Sequence, residues 1–219
     1  MEYFLALQAT YTSIELAICD TSLYLCDTCT IEKIAASAHL FSVLQNMLTR
    51  VSIGLGQFIF IGASQGPAPF TTLRVALACA NGIAFARKIP LVSVNGIKTF
   101  ATSQHPTNHA THIALLNAFQ NNCYYALRME NESLYGCLPI QQILDLVQQQ
   151  HPTGTINFFG NGAILFTQII KNQMGDRAYI NPDAAQFPAL KSIASQALDN
   201  YRAGHTATQI EPLYLKHSV

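Results

Sequence analysis

The chain has 219 residues, of which 50% are hydrophobic and 11% are charged, and its 12 basic side chains balance 12 acidic ones. A chain this apolar can bury a large core, which excludes a disordered, collagen-like or coiled-coil protein. The formal net charge of zero argues against a general nucleic-acid-binding surface. We expect a soluble, cytoplasmic protein, because the sequence has neither a continuously apolar membrane span nor the basic start of a signal peptide.

The first half of the chain predicts three strands, a helix, a strand, a helix and a strand. Apolar and alternating runs place the strands at residues 3–9, 13–19, 23–26, 57–62 and 91–94. Apolar side chains at helical spacing predict helices at 31–48 and 71–87, the second with Thr71 as its N-cap. This is the order of elements in an RNase H-like half.

The second half repeats this order. Strands are expected at residues 113–118, 123–129, 134–138 and 155–159, and helices at 140–149, 163–171 and 183–200. We therefore predict an α/β protein with the duplicated RNase H-like fold of actin, Hsp70 and the sugar kinases (the ASKHA fold). The predicted subdomains are residues 1–103, which carry the partner-binding helices, and residues 104–219.

Acidic residues are missing from a large part of the chain. Residues 33–129 contain no Asp or Glu, and between Ile34 and Ala86 the charged side chains are Arg50 and Arg74. Within this region, residues 75–86 are uncharged, with small residues all round the predicted helix. A helix without a polar face needs cover on both sides. Two interpretations stay open: a core formed wholly within the chain, or a face covered by another protein.

The cysteines and histidines do not form a recognisable metal motif. Cys26 and Cys29 make a CxxC pair, but no second pair completes a zinc site, so we interpret them as residues of a strand end and turn. His105, His109 and His112 have a ligand-like spacing in a stretch that a proline makes a poor helix, which favours a polar loop. We predict no metal or cofactor site.

Several motifs identify a family. The segment from Gly66 to Ala78, GPAPFTTLRVALA, resembles the GPGSFTGLRxGxAxAKGLA signature of the bacterial TsaB (YeaZ) family. Agreement in register extends to four further places, namely the first strand through Thr10, His39 with Leu44, the turn at 160–163 and the EPLYLK run at 211–216. The resemblance therefore covers the whole chain.

This resemblance implies a role in tRNA modification. TsaB-like proteins are non-catalytic relatives of the TsaD subunit. They pair with TsaD and, with the TsaE ATPase, help transfer a threonylcarbamoyl group to adenosine 37 of tRNAs that read ANN codons. Pairing uses the first two helices, and the same surface forms homodimers in some members. By this resemblance we expect tRNA contact to be indirect and the partner interface to include His39, Val43, Leu44, Met47, Arg74, Leu77, Ala78, Asn81 and Gly82.

The chain departs from the family pattern at several positions, including ones where the family carries a charge. Gln8 stands at the Asp of the first-strand DTS, Asn117 and Phe119 stand at the charged positions of DAR, and Ala68 and Pro69 replace Gly and Ser of the signature. An ATPase of this fold uses such carboxylates to hold Mg²⁺ and its water. We therefore predict a protein without catalytic residues. The alternatives are a nucleotide-dependent enzyme of the same fold and a glycoprotease-like peptidase.

Overall fold

The computed structural model describes residues 1–103, 111–128 and 133–215. Its strands are β1 (Tyr3–Ala9), β2 (Ser13–Asp20), β3 (Leu25–Glu32), β4 (Phe58–Ser64), β5 (Leu91–Val94), β6 (Thr111–Asn117), β7 (Asn122–Arg128), β8 (Ser133–Pro139), β9 (Ile156–Phe159) and β10 (Ala178–Ile180). Its helices are α1 (Lys33–Val51), α2 (Phe70–Arg87), α3 (Gly96–Ser103), α4 (Ile140–Gln150), α5 (Asn161–Leu165), α6 (Thr167–Met174) and α7 (Leu190–Arg202). No helix within these residues is long and apolar enough to span a bilayer.

The strands form two five-stranded sheets of the same topology. The orders are β3-β2-β1-β4-β5 and β10-β9-β6-β7-β8. In each sheet three antiparallel strands are followed by two that run parallel to the first. The repeated order confirms the predicted α/β fold with two RNase H-like halves.

The compact units do not follow the sequence order that we expected. One unit comprises Met1–Gly96 with Ala189–Leu213, and the other comprises Ile97–Pro188 with Tyr214–Val219. The expected division at residues 103 and 104 therefore differs at two places: α3 falls almost entirely in the second unit, and α7 falls in the first. The reason is packing, since α7 buries Ile193, Ala194, Ala197 and Leu198 against the first sheet. An amphipathic pattern predicts that one face of a helix is buried but not which sheet buries it.

The first sheet is covered on both faces. Leu5 and Leu7 of β1 belong to the core beneath α1 and α2, whereas Phe4 and Ala6 belong to the core beneath α7. A strand that is buried on both faces is apolar at successive positions and not only at alternate ones. This explains the continuous apolar run at the start of β1.

Some element boundaries differ from the sequence-based expectation. Strand β3 continues to Glu32, so Cys29 lies within a strand. Helix α2 begins at Phe70, and its N-cap is Pro69, which makes no side-chain capping bond, so the expected N-cap role of Thr71 is wrong. The expected helix at 163–171 is split between α5 and α6 at Phe166. Strand β10 and helix α3 were not expected, because each is short.

Helix α7 approaches the first sheet closely at Gly62 of β4. A Cβ atom built on Gly62 would lie 2.5 Å from the Cβ of Ala197, which is well inside van der Waals contact. A glycine here is thus what allows α7 to pack on this face.

We expect Gly62→Ala to lower the free energy of unfolding by about 1–3 kcal/mol, because it overpacks this contact. In urea denaturation, Ala197→Gly should be less destabilising in the Gly62→Ala background than in the wild-type protein, since it removes the clash. Equal effects in the two backgrounds would contradict the close approach.

Candidate functional site

Helices α1 and α2 lie on the same face of the first sheet, and each turns one side into the core. The core side is formed by Leu40, Leu44 and Met47 of α1 and by Leu73 and Leu77 of α2, all at most 4% exposed. The opposite side of α2 is exposed at Ala78, Gly82, Phe85 and Ala86. Within the described part of the chain, this uncharged side remains uncovered. The α1–α2 surface, as we call it, consists of the outward sides of these two helices.

An apolar groove runs between the two helices and opens on this surface. Its volume is about 720 Å³, and apart from Ser37 and Arg87 its lining residues are apolar, with Phe41 on the α1 side and Ala78 and Gly82 on the α2 side. A Cβ atom added to Gly82 would meet no atom within 4 Å, so the middle of the groove is open. Its shape and lining are those of a site for an apolar side-chain ridge.

Cys79 also lines this groove. Burial raises the pKa of the Cys79 thiol to about 11. At neutral pH the side chain is therefore an uncharged thiol, and it acts as part of the apolar wall.

The structure distributes the nine expected interface residues among three environments. Those exposed on α1 and α2 are His39, Arg74, Ala78 and Gly82. Val43 and Asn81 are partly buried. The other three are core residues, with Leu44 and Met47 0% exposed and Leu77 2% exposed. We expected these three residues in the contact surface, and their burial corrects that expectation. They hold the helices on the sheet and do not reach the surface.

Arg74 is held at the N-terminal end of the surface by an aromatic ring. Its guanidinium carbon lies 3.6 Å from the centroid of the Phe70 ring. Such a cation–π contact keeps a cation over an exposed ring and limits the number of rotamers it adopts. The pair therefore places a positive charge beside the uncharged stretch of α2.

Three exposed apolar residues were not among the expected interface residues. Ile34, Phe41 and Phe85 are 85%, 50% and 88% exposed, although each is large and apolar. The sequence of α1 contains a signal for Ile34 and Phe41, since it carries two apolar stripes. A helix that packs on one sheet needs only one such stripe, so the second is available for a partner. Phe85 also lines a second groove of about 1080 Å³, between the end of α2 and residues 206–209.

Asn81 has an internal role that its expected place in an interface did not suggest. Its amide nitrogen donates to the carbonyl oxygen of Ile210 at 2.9 Å, and its amide oxygen accepts from the Ile210 N–H at 2.9 Å. Asn81 thus ties the chain after α7 to the side of α2.

We expect Asn81→Leu to lower the free energy of unfolding by roughly 1–3 kcal/mol, because both backbone groups of Ile210 lose their partners. Hydrogen exchange should accelerate at residues 208–213 while β1 and β4 stay protected. Unchanged exchange at 208–213 would show that the pair of bonds does not tether the segment.

The first strand carries a polar pair where the TsaB motif has its Asp. Gln8 is 2% exposed, and its amide donates to the Glu15 carboxylate of β2 at 2.6 Å. Nearby, the Thr10 hydroxyl lies 2.7 Å from the Ser13 hydroxyl in the β1–β2 turn. The Glu15 carboxylate therefore lies beside Gln8, the neutral residue at the position of the motif's Asp. Sequence reasoning missed Glu15 because it belongs to the neighbouring strand.

The corresponding turn of the second unit lacks a carboxylate at the motif positions. The Asn117 N–H donates to the Asn161 side chain, and the Asn117 side-chain oxygen accepts from the Phe119 N–H at 2.9 Å. Phe119 and the next two residues all have positive φ, so this turn is left-handed. Ala68 and Pro69, two of the departures in the signature, are partly buried just before α2.

The cysteine and histidine candidates are dispersed. Cys26 and Cys29 are free thiols of β3. His112 is 3% exposed on β6, and burial next to Arg128 lowers its pKa. His105 and His109 lie outside the described residues. Among residues 1–103, 111–128 and 133–215, no group of three or more His, Cys, Asp or Glu is placed to hold a metal ion.

Comparison with known proteins gives consistent relatives. Residues 32–218 match the family TsaD, tRNA N6-adenosine threonylcarbamoyltransferase. The tRNA threonylcarbamoyladenosine biosynthesis protein TsaB of Haemophilus influenzae is 24% identical over 207 residues, which cover 86% of this chain and 84% of that protein.

Two solved structures place the fold among known architectures. YeaZ from Pseudomonas aeruginosa superposes with a TM-score of 0.74 at 19% identity, covering 98% of this chain and 100% of that chain. The inorganic polyphosphate/ATP-glucomannokinase of an Arthrobacter strain gives 0.54 at 9% identity, covering 91% and 100%. The second of these likenesses supports a sugar-kinase-type fold and nothing about activity.

Proposed function

The chain is a TsaB (YeaZ) member of the TsaD (tRNA N6-adenosine threonylcarbamoyltransferase) family. We propose that it serves the formation of threonylcarbamoyladenosine in tRNA as a non-catalytic subunit. It binds a TsaD-like catalytic subunit through the α1–α2 surface. The reaction takes place on that subunit, at adenosine 37 of tRNAs that read ANN codons, with a TsaE-like ATPase in the same assembly. This chain contacts tRNA only through its partners.

One observation carries the proposal. The α1–α2 surface exposes the uncharged stretch of α2 from Ala78 to Ala86 together with an apolar groove of about 720 Å³. An exposed apolar patch of this kind marks an interaction surface in a folded protein. A partner helix would bury Phe41, Ala78 and Gly82, which the chain itself leaves exposed.

The small residues allow a sharp test of this surface. We expect Ala78→Arg and Gly82→Arg each to abolish co-purification with the TsaD-like subunit of the same organism, because a long charged side chain would fill the groove. Both positions are exposed, and replacing a helical glycine favours the helix, so the variants should fold as the wild type does.

Ala203→Arg is the matched control, because Ala203 is an exposed alanine directly after α7, the helix that covers the other face of the first sheet. It should leave binding unchanged. If Ala78→Arg and Gly82→Arg both bind the subunit as the wild type does, the α1–α2 surface is not the interface.

A second candidate function, a nucleotide-dependent enzyme of this fold, is favoured by Glu15. Its carboxylate lies beside Gln8 near the end of β1 and could hold Mg²⁺ in place of the missing aspartate. A single carboxylate paired with an amide is a weak metal site, and the corresponding turn of the second unit offers asparagine at the motif position.

The two candidates differ in their response to ATP. We expect calorimetry with ATP and Mg²⁺ to give no turnover by the isolated protein, and the same result for Glu15→Gln. Turnover in the wild-type protein that Glu15→Gln removes would overturn the non-catalytic assignment and support the enzyme.

A further inference from the structure

The charge on the α1–α2 surface is of one sign. From the start of α1 at Lys33 to Lys88, the residue after α2, the chain contains five basic residues and no acidic one. All five are exposed, and they are Lys33, Arg50, Arg74, Arg87 and Lys88. Arg50 pairs with Asp27 of β3 at 2.7 Å.

Arg87 is the charged residue closest to the groove. It lines the groove at the C-terminal end of α2, and the other lining residues carry no charge. The acidic residue nearest to α1 in sequence is Glu32, which is exposed at the N-terminal end of that helix. Among the described residues, Glu32 forms no ion pair with Arg87. An apolar groove with a cation at its end has the chemistry to bind an apolar ridge that ends in a carboxylate.

We propose that the groove binds an amphipathic helix whose apolar ridge is flanked by an Asp or Glu that pairs with Arg87, and that this arrangement selects such a partner over a second copy of the chain. The proposal rests on the proposed function, because it assigns this helix to the TsaD-like subunit. A guanidinium at the edge of an apolar groove forms a stronger pair than one in open water once a bound helix displaces the water around it.

A second copy lacks the complementary charge. In a two-fold dimer the same patch forms both sides of the interface. Each copy would bring the cations of α1 and α2, and neither helix would bring a carboxylate. Like charges that face each other across an interface disfavour the wrong partner, so self-association is the weaker interaction.

Salt distinguishes the two interactions by the sign of its effect. We expect the dissociation constant of the complex with the purified TsaD-like subunit to rise between 50 and 500 mM NaCl, because salt screens attraction between opposite charges. Self-association of the full chain, followed by sedimentation equilibrium, should be absent or should strengthen over the same range, because salt screens repulsion. A wild-type dimer that weakens with salt would overturn the proposal.

Substitutions of Arg87 test the pair directly. At 50 mM NaCl we expect Arg87→Glu to weaken binding of the TsaD-like subunit by at least about tenfold, and Arg87→Gln to weaken it less, because reversal adds repulsion to the lost attraction. Lys191→Glu is the charge-matched control, because Lys191 is exposed on α7. It should stay within about twofold of the wild-type value, because α7 packs on the opposite face of the first sheet from α1 and α2.

The Ala78→Arg variant separates this inference from the proposed function. If Ala78→Arg abolishes binding while Arg87→Glu binds as the wild type does, the groove is the interface and the charge selection is wrong. If neither substitution changes binding, the proposed interface fails, and the charge selection fails with it. Loss of self-association in Glu32→Gln would also contradict the inference, because it would reveal an acidic contact between copies.

Discussion

Two helices on one face of a sheet can each give the core only one side, and this constraint decides what the first unit of the protein exposes. Leu44 and Met47 of α1 and Leu77 of α2 are buried to 2% exposure or less, so they fix the helices by their inner sides. The sheet itself is already covered on its other face by α7, which approaches closely at Gly62. The uncharged outer side of α2 therefore has no place in the core. In the described chain it faces outward beside an apolar groove, and this is the feature that the proposed partner would cover.

The same constraint explains why the shortage of charged residues around α1 and α2 indicates a binding surface. Apolar composition alone is compatible with a large core, and the chain does bury one on each face of its first sheet. Yet Ala78, Gly82 and Phe85 are exposed in a segment without acidic residues. Arg74, stacked on Phe70, and Arg87, at the groove, lie at the two ends of the uncharged stretch of α2. Such a surface is suited to an acidic, amphipathic partner and poorly suited to a copy of itself.

The fold was accessible from sequence because its strands and long helices have strong periodicity, and the repeated order of elements predicted two halves. The periodicity did not indicate which sheet each helix packs on or which side of the helix is buried. Helix α7 could pack on either sheet, and the sequence order misplaced it. The side of α1 that meets the sheet was equally ambiguous, so Leu44 and Met47 were expected at the surface while Phe41 was overlooked. Asn81 bonds to Ile210, which is distant in sequence, and Glu15 bonds to Gln8 on the neighbouring strand. No local sequence pattern reveals either pairing.

The central claim is that the outward sides of α1 and α2 bind the TsaD-like subunit. Hydrogen exchange of the full chain, measured by mass spectrometry with and without that subunit, tests it most directly. We expect added protection at residues 34–41 and 74–87, with β1 and α7 unchanged. Protection confined to α7 or to the second unit, with α1 and α2 exchanging as in the free protein, would contradict it.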